Sequence, residues 1–171
     1  MSLLNSVLPE YDVKEHHEII VNKPVEAVFE AANTVDFSTS KIIVILFKLR
    51  GIPVGRLDLQ GMVEEGRFVR FGEMPPWETV LGFTEADAVK TIDDVAAFTT
   101  NTIDAKFRVA WNFQCEALDE NTTRLSTETR VALLGTFLKI FFRCYWFFIK
   151  PFSGWIRTIM LRLIKEKAEA S

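Results

Sequence analysis

The chain has 171 residues, of which 49% are apolar and 25% charged, and its net charge is −3. This composition is typical of a globular protein and argues against a disordered one. The acidic balance argues against nucleic-acid binding, which usually needs a basic excess on one face. Fifteen Phe and four Trp accompany only two Tyr, a set that suits a thick core or the wall of an apolar cavity. At this length we expect one domain, spanning 1–171.

The first part of the chain predicts one strand followed by two helices. Residues 13–22 mix β-branched and polar residues and end at a turn, which is typical of a strand. Pro24 suits the first turn of a helix that apolar residues at helical spacing continue to about residue 34. A second helix is predicted over 41–48, although its β-branched residues leave a strand open there. A loop is then expected at Gly51, Pro53 and Gly55.

The middle of the chain predicts antiparallel strands. Two strands, over 68–73 and 77–83, flank a Pro-Pro turn, and a weak strand is expected over 95–100. The clearest strand, 106–117, alternates strictly, which predicts one buried and one solvent-facing side. Its buried side would carry Phe107, Val109, Trp111, Phe113, Cys115 and Ala117. Residues 123–133 alternate in the same way and predict the partner strand.

The chain ends in a long helical stretch that opens at Gly135. Pro151 is expected to kink or break it. The order of strand, two helices, antiparallel strands and long helix predicts an α+β fold, in which a curved antiparallel β-sheet grips the C-terminal α-helix. Such a grip often leaves a gap between sheet and helix that holds a ligand.

Three segments carry a resemblance to a known family. Residues 18–29 look like an opening strand with a Pro-started helix, the tandem 106–117 and 123–131 looks like two closing strands, and 142–157 is similar to a closing helix. In these respects the chain resembles the START-like helix-grip (SRPBCC) superfamily, and within it the uncharacterised bacterial members of the polyketide cyclase/dehydrase-like group. The resemblance implies binding of lipids, sterols, polyketides or hormones, and in a minority of members cyclisation or hydrolysis of such ligands.

A cavity between sheet and helix would have aromatic walls and few polar groups. The candidate wall residues are Trp77, Phe83, Trp111 and Phe113. Thr127 and Thr129 lie on the predicted inward face of their strand, where their hydroxyls either orient a ligand or pack as ordinary strand residues.

The two histidines, His16 and His17, are adjacent in a predicted strand and therefore point to opposite faces. They cannot bind one metal ion from the same side. His17 shares a face with Ile19 and Val21 and is the best candidate for an acid or base, the alternative being a structural or surface histidine. The sequence has no zinc spacing, phosphate loop, dinucleotide fingerprint or nucleophile elbow, so we expect no metal and no cofactor.

Two charged pairs are weaker candidates. Glu73 and Glu78 flank the Pro-Pro turn, where a hairpin could pair them for acid–base work, although such residues are more often solvated. Glu128 and Arg130 share a strand face and predict an exposed ion pair. If that face were buried, Arg130 would instead anchor an anionic group.

The stretch 131–149 is crowded with aromatic and aliphatic residues, but Lys139 and Arg143 argue against a membrane span. Two readings stay open. A helix apolar nearly all round is usually buried, here by the sheet and a second subunit of a homodimer. Alternatively, Lys139, Arg143 and Lys150 form the basic stripe of a helix in peripheral membrane contact.

The sequence thus supports three functional hypotheses. The first is a module that binds a small hydrophobic ligand, the second a cyclase- or dehydratase-type enzyme, and the third an interaction or membrane-surface protein that uses its Phe-rich C-terminal helix. Cys115 and Cys144 lie in apolar segments and predict buried thiols in a reducing, cytoplasmic location, with a disulfide as the alternative.

Overall fold

The computed structural model describes residues 2–49, 54–65, 68–84, 92–100, 102 and 105–171. This part of the chain contains five strands and six α-helices. In order they are α1 (Leu3–Val7), β1 (Val13–Val21), α2 (Val25–Thr34), a 3-10 turn (Phe37–Thr39), α3 (Lys41–Leu49), α4 (Leu59–Glu64), β2 (Val69–Met74), β3 (Glu78–Thr84), α5 (Ile92–Thr100), β4 (Phe107–Asp119), β5 (Thr122–Leu133) and α6 (Thr136–Ala170).

The strands form one antiparallel sheet in the order β1-β5-β4-β3-β2. The predicted pairing of the last two strands is confirmed, with Trp111 opposite Thr129. The first strand pairs with the last, so that His17 lies opposite Thr127. The predicted α+β architecture, with short helices after β1 and a long helix after β5, is therefore confirmed; three short α-helices (α2, α3 and α4) follow β1 among the described residues, where two were expected.

The inner face of the sheet packs on α2, α3 and the C-terminal half of α6. Trp111, Phe113 and Cys115 of β4 are buried there, as the alternation of that strand predicts. The helix contributes Ile156, Met160, Leu161 and Ile164 to the same core. Full burial of one such side chain contributes roughly 1.5–3 kcal/mol, so this contact fixes α6 on the sheet.

The outer face of the sheet is also covered, which differs from the predicted solvent-facing side. Val80 and Ala110 pack there against Leu4 of α1 and Phe98 of α5. The polar residues Arg108 and Asn112 are consequently buried. Sequence alternation could not reveal this because α1 has only five residues and gives no clear helical period.

Buried polar groups on the outer face hold α1 in place. The Glu78 carboxylate accepts hydrogen bonds from the amides of Leu3 (2.6 Å) and Leu4 (3.2 Å), and from Ser2 Oγ (2.8 Å) and Asn112 Nδ2 (2.7 Å). A carboxylate at the start of a helix also opposes the partial positive charge of the free N–H groups. Glu78 therefore joins α1 to the sheet.

Arg130 makes a second attachment of this kind. Its guanidinium donates to Glu128 Oε1 (2.6 Å), to the carbonyl of Leu8 (2.9 Å) and to Asn5 Oδ1 (2.5 Å). The predicted pair with Glu128 is present, but the face is buried and Arg130 binds the N-terminal segment of the chain itself.

Three local predictions were wrong. Residues 95–100 lie in helix α5, where Phe98 is buried and packs 4.4 Å from the ring of Phe71. The predicted break at Pro151 does not occur, because α6 runs as one helix from Thr136 to Ala170; a kink at this proline stays a prediction. Cys144 is exposed on α6, and both cysteines are free.

Candidate functional site

A histidine and a carboxylate lie together on the inner face of β1. Glu15 and His17 are two residues apart and therefore share a face of the strand. Glu15 is only 7% exposed, and its Oε1 lies 3.0 Å from His17 Nε2. A carboxylate in this position orients an imidazole ring through the hydrogen bond that the two groups share.

Two oxygen atoms beside this pair have no hydrogen-bond partner among the described residues. They are Glu15 Oε2 and Thr129 Oγ1, both of which are buried. The two residues face each other across β1 and β5. Because an unpaired buried polar group costs about 1–3 kcal/mol, the protein carries here a polar cluster that its own side chains leave partly unsatisfied.

The cluster lies directly under α6 at Gly154. A Cβ atom on Gly154 would lie 2.7 Å from Glu15 Oε1 and 3.2 Å from His17 Nε2. Only glycine therefore permits the helix to approach the pair this closely.

The surroundings of the cluster are aromatic. Trp111 lies opposite Thr129 in the sheet, and its ring packs edge-on against Phe113 at 5.3 Å. The guanidinium carbon of Arg157, on α6, lies 4.6 Å from the centre of the Trp111 ring.

Burial raises the pKa of the Cys115 thiol, on the same face of β4, to about 12, so this cysteine stays protonated and is a poor nucleophile.

The other predicted site residues lie in different surroundings. The Thr127 hydroxyl donates to the carbonyl of Asn112 (2.7 Å) and so is already engaged within the sheet. Phe83 is half-buried in a cluster with Phe68, 5.2 Å away. Trp77 is 47% exposed in the turn before β3, away from the cluster. Whether Thr127, Phe83 or Trp77 contacts a ligand stays a prediction.

The structure does not bring Glu73 and Glu78 together. Glu73 pairs with Arg70 at the surface, whereas Glu78 is buried on the outer face and bound to α1. Their separation follows from strand alternation, because β3 turns Glu78 toward the outer helices.

A polar cleft of about 260 Å³ lies on the outer side, near the start of α6. Its lining includes Asp12, Arg108 and Lys139. Burial raises the pKa of Asp12, but the hydrogen bonds from Lys139 and the Leu133 amide outweigh that effect and hold it below its usual value. This cleft is not the predicted apolar cavity between sheet and helix, which stays a prediction.

Sequence reasoning found His17 but missed Glu15 and Gly154. The available signal was that Glu15 falls two residues before His17, on the face that also carries Ile19 and Val21. A carboxylate on the apolar face of a strand is unusual and marks a possible polar site.

Neither a protein-family model nor a curated protein matches the chain. A conserved protein from Geobacillus kaustophilus is similar in structure, with a TM-score of 0.45 and 10% identity over 93% of this chain and 97% of that one. Zhui aromatase/cyclase from a Streptomyces species has a TM-score of 0.38 and 10% identity over 92% and 93%. Norcoclaurine synthase from Thalictrum flavum has a TM-score of 0.38 and 12% identity over 88% and 94%. Similarity this distant carries no argument about function.

The described elements themselves settle the architecture. The chain has a helix-grip fold. None of the helices among the described residues combines the length and hydropathy that a bilayer-crossing segment needs. In the same part of the chain, no three acidic, histidine or cysteine side chains converge as a metal site would require.

Proposed function

We propose that this helix-grip domain binds a small, largely apolar molecule of lipid or polyketide type between the inner face of the sheet and α6. The observation that carries the proposal is the pair of unpartnered buried oxygens, Glu15 Oε2 and Thr129 Oγ1. Buried polar atoms in proteins are nearly always paired. A ligand group that pairs both atoms would therefore gain more free energy here than on a surface whose polar atoms are already satisfied.

The chemistry of the two oxygens defines the polar group of the ligand. An ionised Glu15 only accepts hydrogen bonds, whereas the Thr129 hydroxyl both donates and accepts. The ligand should therefore carry a hydroxyl or an amine that donates to Glu15. Its apolar body would contact Trp111 and Phe113 on the sheet and Met160 on α6, which are the apolar side chains of the same core. Because these residues pack closely, binding requires α6 to move away from the sheet near Gly154.

Native mass spectrometry of the protein purified from its own host tests this proposal. The expected result is one molecule bound per chain, which extraction identifies as an apolar compound with a hydroxyl or amine. The Gly154→Ala variant is expected to carry much less of it, since the added methyl group occupies the space above Glu15. Recovery of empty protein, together with no binding of neutral apolar fluorophores at one per chain, would exclude the binding role.

A second candidate function is catalysis on the same ligand, which the hydrogen bond between His17 and Glu15 favours. In this scheme His17 transfers a proton in a cyclisation or dehydration and Glu15 positions its ring. The test incubates the extracted ligand class with wild-type protein and with His17→Gln. Loss of one water molecule from the ligand, or a changed retention time at constant mass, in wild type alone would support turnover. An unchanged ligand in both would leave binding as the function.

A further inference from the structure

The two halves of α6 have opposite exposure. The C-terminal half is fixed in the core, but in the half before it, residues 136–155, most of the large apolar side chains face solvent. Phe137 is 85% exposed, Phe147 77% and Phe148 70%. The others are Ile140, Phe141, Tyr145, Phe152 and Trp155.

The exposed side chains form one continuous face. At 3.6 residues per turn, all eight fall within an arc of about 160° on the helix. The half-buried Phe142, Trp146 and Ile149 lie on the opposite side. The helix is therefore apolar on two sides, of which one is partly buried and the broader one faces solvent. Among the described residues this face is not covered by the sheet, and the homodimer predicted to cover it stays a prediction.

The basic residues form a second, narrower stripe. Lys139, Arg143 and Lys150 fall within an arc of about 40°, next to one edge of the apolar face. No aspartate or glutamate occurs between Thr136 and Lys165, although the whole chain has a net charge of −3. Lys139 is bound to Asp12 at 2.7 Å. Arg143 and Lys150 form no salt bridge within the part of the chain that the structure describes.

This charge pattern identifies what the face would meet. A second copy of the helix would bring its own basic stripe and no acidic residue to neutralise it. Electrostatic repulsion between the two stripes therefore disfavours self-association through this face. An anionic lipid surface supplies both an apolar layer for the aromatic side chains and phosphates for the cations. We propose that residues 136–155 dock the protein on the surface of an anionic lipid bilayer, with the aromatic face inserted and Arg143 and Lys150 bound to lipid phosphates.

Co-sedimentation of the full chain with vesicles tests this docking face. The probes are vesicles of phosphatidylcholine alone and of phosphatidylcholine with about a third phosphatidylserine. The wild-type protein should bind the mixed vesicles much more tightly. The double variant Phe147→Ser/Phe148→Ser should lose at least about tenfold in partitioning, because two exposed aromatic rings no longer enter the interface. Trp77→Ser is the matched control, since it removes an exposed aromatic residue from the opposite end of the sheet, and it should bind as wild type does.

The charge variant separates the electrostatic contribution. In Arg143→Gln/Lys150→Gln the preference for anionic vesicles should fall about 25-fold, from about fivefold for each cation near such a surface. Circular dichroism checks that each variant keeps its fold, which is expected because all four substituted side chains are exposed.

Three outcomes would overturn the proposal. They are no binding to mixed vesicles, binding that the aromatic and charge variants leave unchanged, and a dimer in sedimentation equilibrium that Phe147→Ser/Phe148→Ser dissociates.

Discussion

The two faces of the sheet each bury a glutamate, and the glutamates differ in how well their oxygens are satisfied. On the outer face, Glu78 accepts hydrogen bonds from the first residues of α1 and from Asn112. On the inner face, Glu15 has one oxygen near His17 and one with no partner among the described residues. Burial alone would make both residues functional candidates. The difference in hydrogen bonding marks Glu78 as structural, and it is the reason that the proposed binding site is placed at Glu15.

The largest effect is expected for Glu78→Ala. The change leaves the buried Leu4 amide and the Asn112 side chain without their acceptor and frees the start of α1. We expect a loss of about 3 kcal/mol or more in the free energy of unfolding, since each unpaired buried group costs roughly 1–3 kcal/mol. Urea denaturation measures it. A loss below about 1 kcal/mol would contradict the structural role of Glu78.

A smaller loss is expected for Gly154→Ala on the inner face. The added Cβ meets Glu15 Oε1 at 2.7 Å, and such overpacking costs about 1–3 kcal/mol. The gain in helix propensity offsets about 1 kcal/mol of this, so the net loss should be at most about 2 kcal/mol. In the Glu15→Ala background the same change should cost less or become favourable, because the clashing oxygen is gone. Equal costs in both backgrounds would show that Gly154 does not press on Glu15.

Thr129→Val is expected to act in the opposite direction. It replaces an unpartnered buried hydroxyl with a methyl group of similar size, so the ligand-free protein should become more stable by about 1 kcal/mol. Thr127→Val is the matched control, because Thr127 lies two residues away on the same face of β5. Its hydroxyl donates to the carbonyl of Asn112, and its loss should destabilise by about 1 kcal/mol. Thermal denaturation of both variants tests this prediction. A change in stability of the same sign in both variants would contradict the difference between the two hydroxyls.

The smallest effect is a pH dependence at Glu128. Burial raises the pKa of Glu128, but hydrogen bonds from Arg130 and Lys14 outweigh it and hold it below its ordinary value of 4.5. A carboxylate whose pKa is lowered by folding stabilises the protein fully above 4.5, and that stabilisation is lost as the pH falls through the lowered pKa. Glu128→Gln should therefore be less stable than wild type at neutral pH, by about 1 kcal/mol or less. The gap should close in acid; a gap that stays constant from neutral to acidic pH would contradict this assignment.

Alternation of apolar and polar residues was enough to predict β4 and β5, the two long strands of the sheet. In β4 it correctly identified the face that carries Trp111 and Phe113, because a half-buried strand has a period of two. It failed for Arg108 and Asn112, which lie under α1 and α5. Their burial depends on two short helices that pack against the sheet, and a local pattern contains no information about such contacts.

The candidate site was predicted only in part. His17 was identified from its strand face, but the burial of Glu15 depends on the passage of α6 at Gly154, a contact between distant parts of the chain. The same limit applies to α6 itself. The aromatic composition of this helix is as typical of a buried helix as of one on a membrane surface. Only the three-dimensional arrangement shows that most of the large apolar side chains of residues 136–155 face solvent.

The most direct test of the binding site is a fluorescence titration with 2-naphthol and with 2-methoxynaphthalene, which has the same rings but cannot donate a hydrogen bond. The account predicts that wild-type protein binds 2-naphthol at one per chain and the methyl ether at least about tenfold more weakly, equivalent to about 1.4 kcal/mol. Glu15→Ala should remove most of this preference, because it removes the oxygen that accepts the hydroxyl of 2-naphthol, whereas Glu18→Ala, on the opposite face of β1, should keep it. Equal binding of the two probes by the wild-type protein, or a preference that survives Glu15→Ala, would contradict the assignment of Glu15 as the ligand's polar anchor.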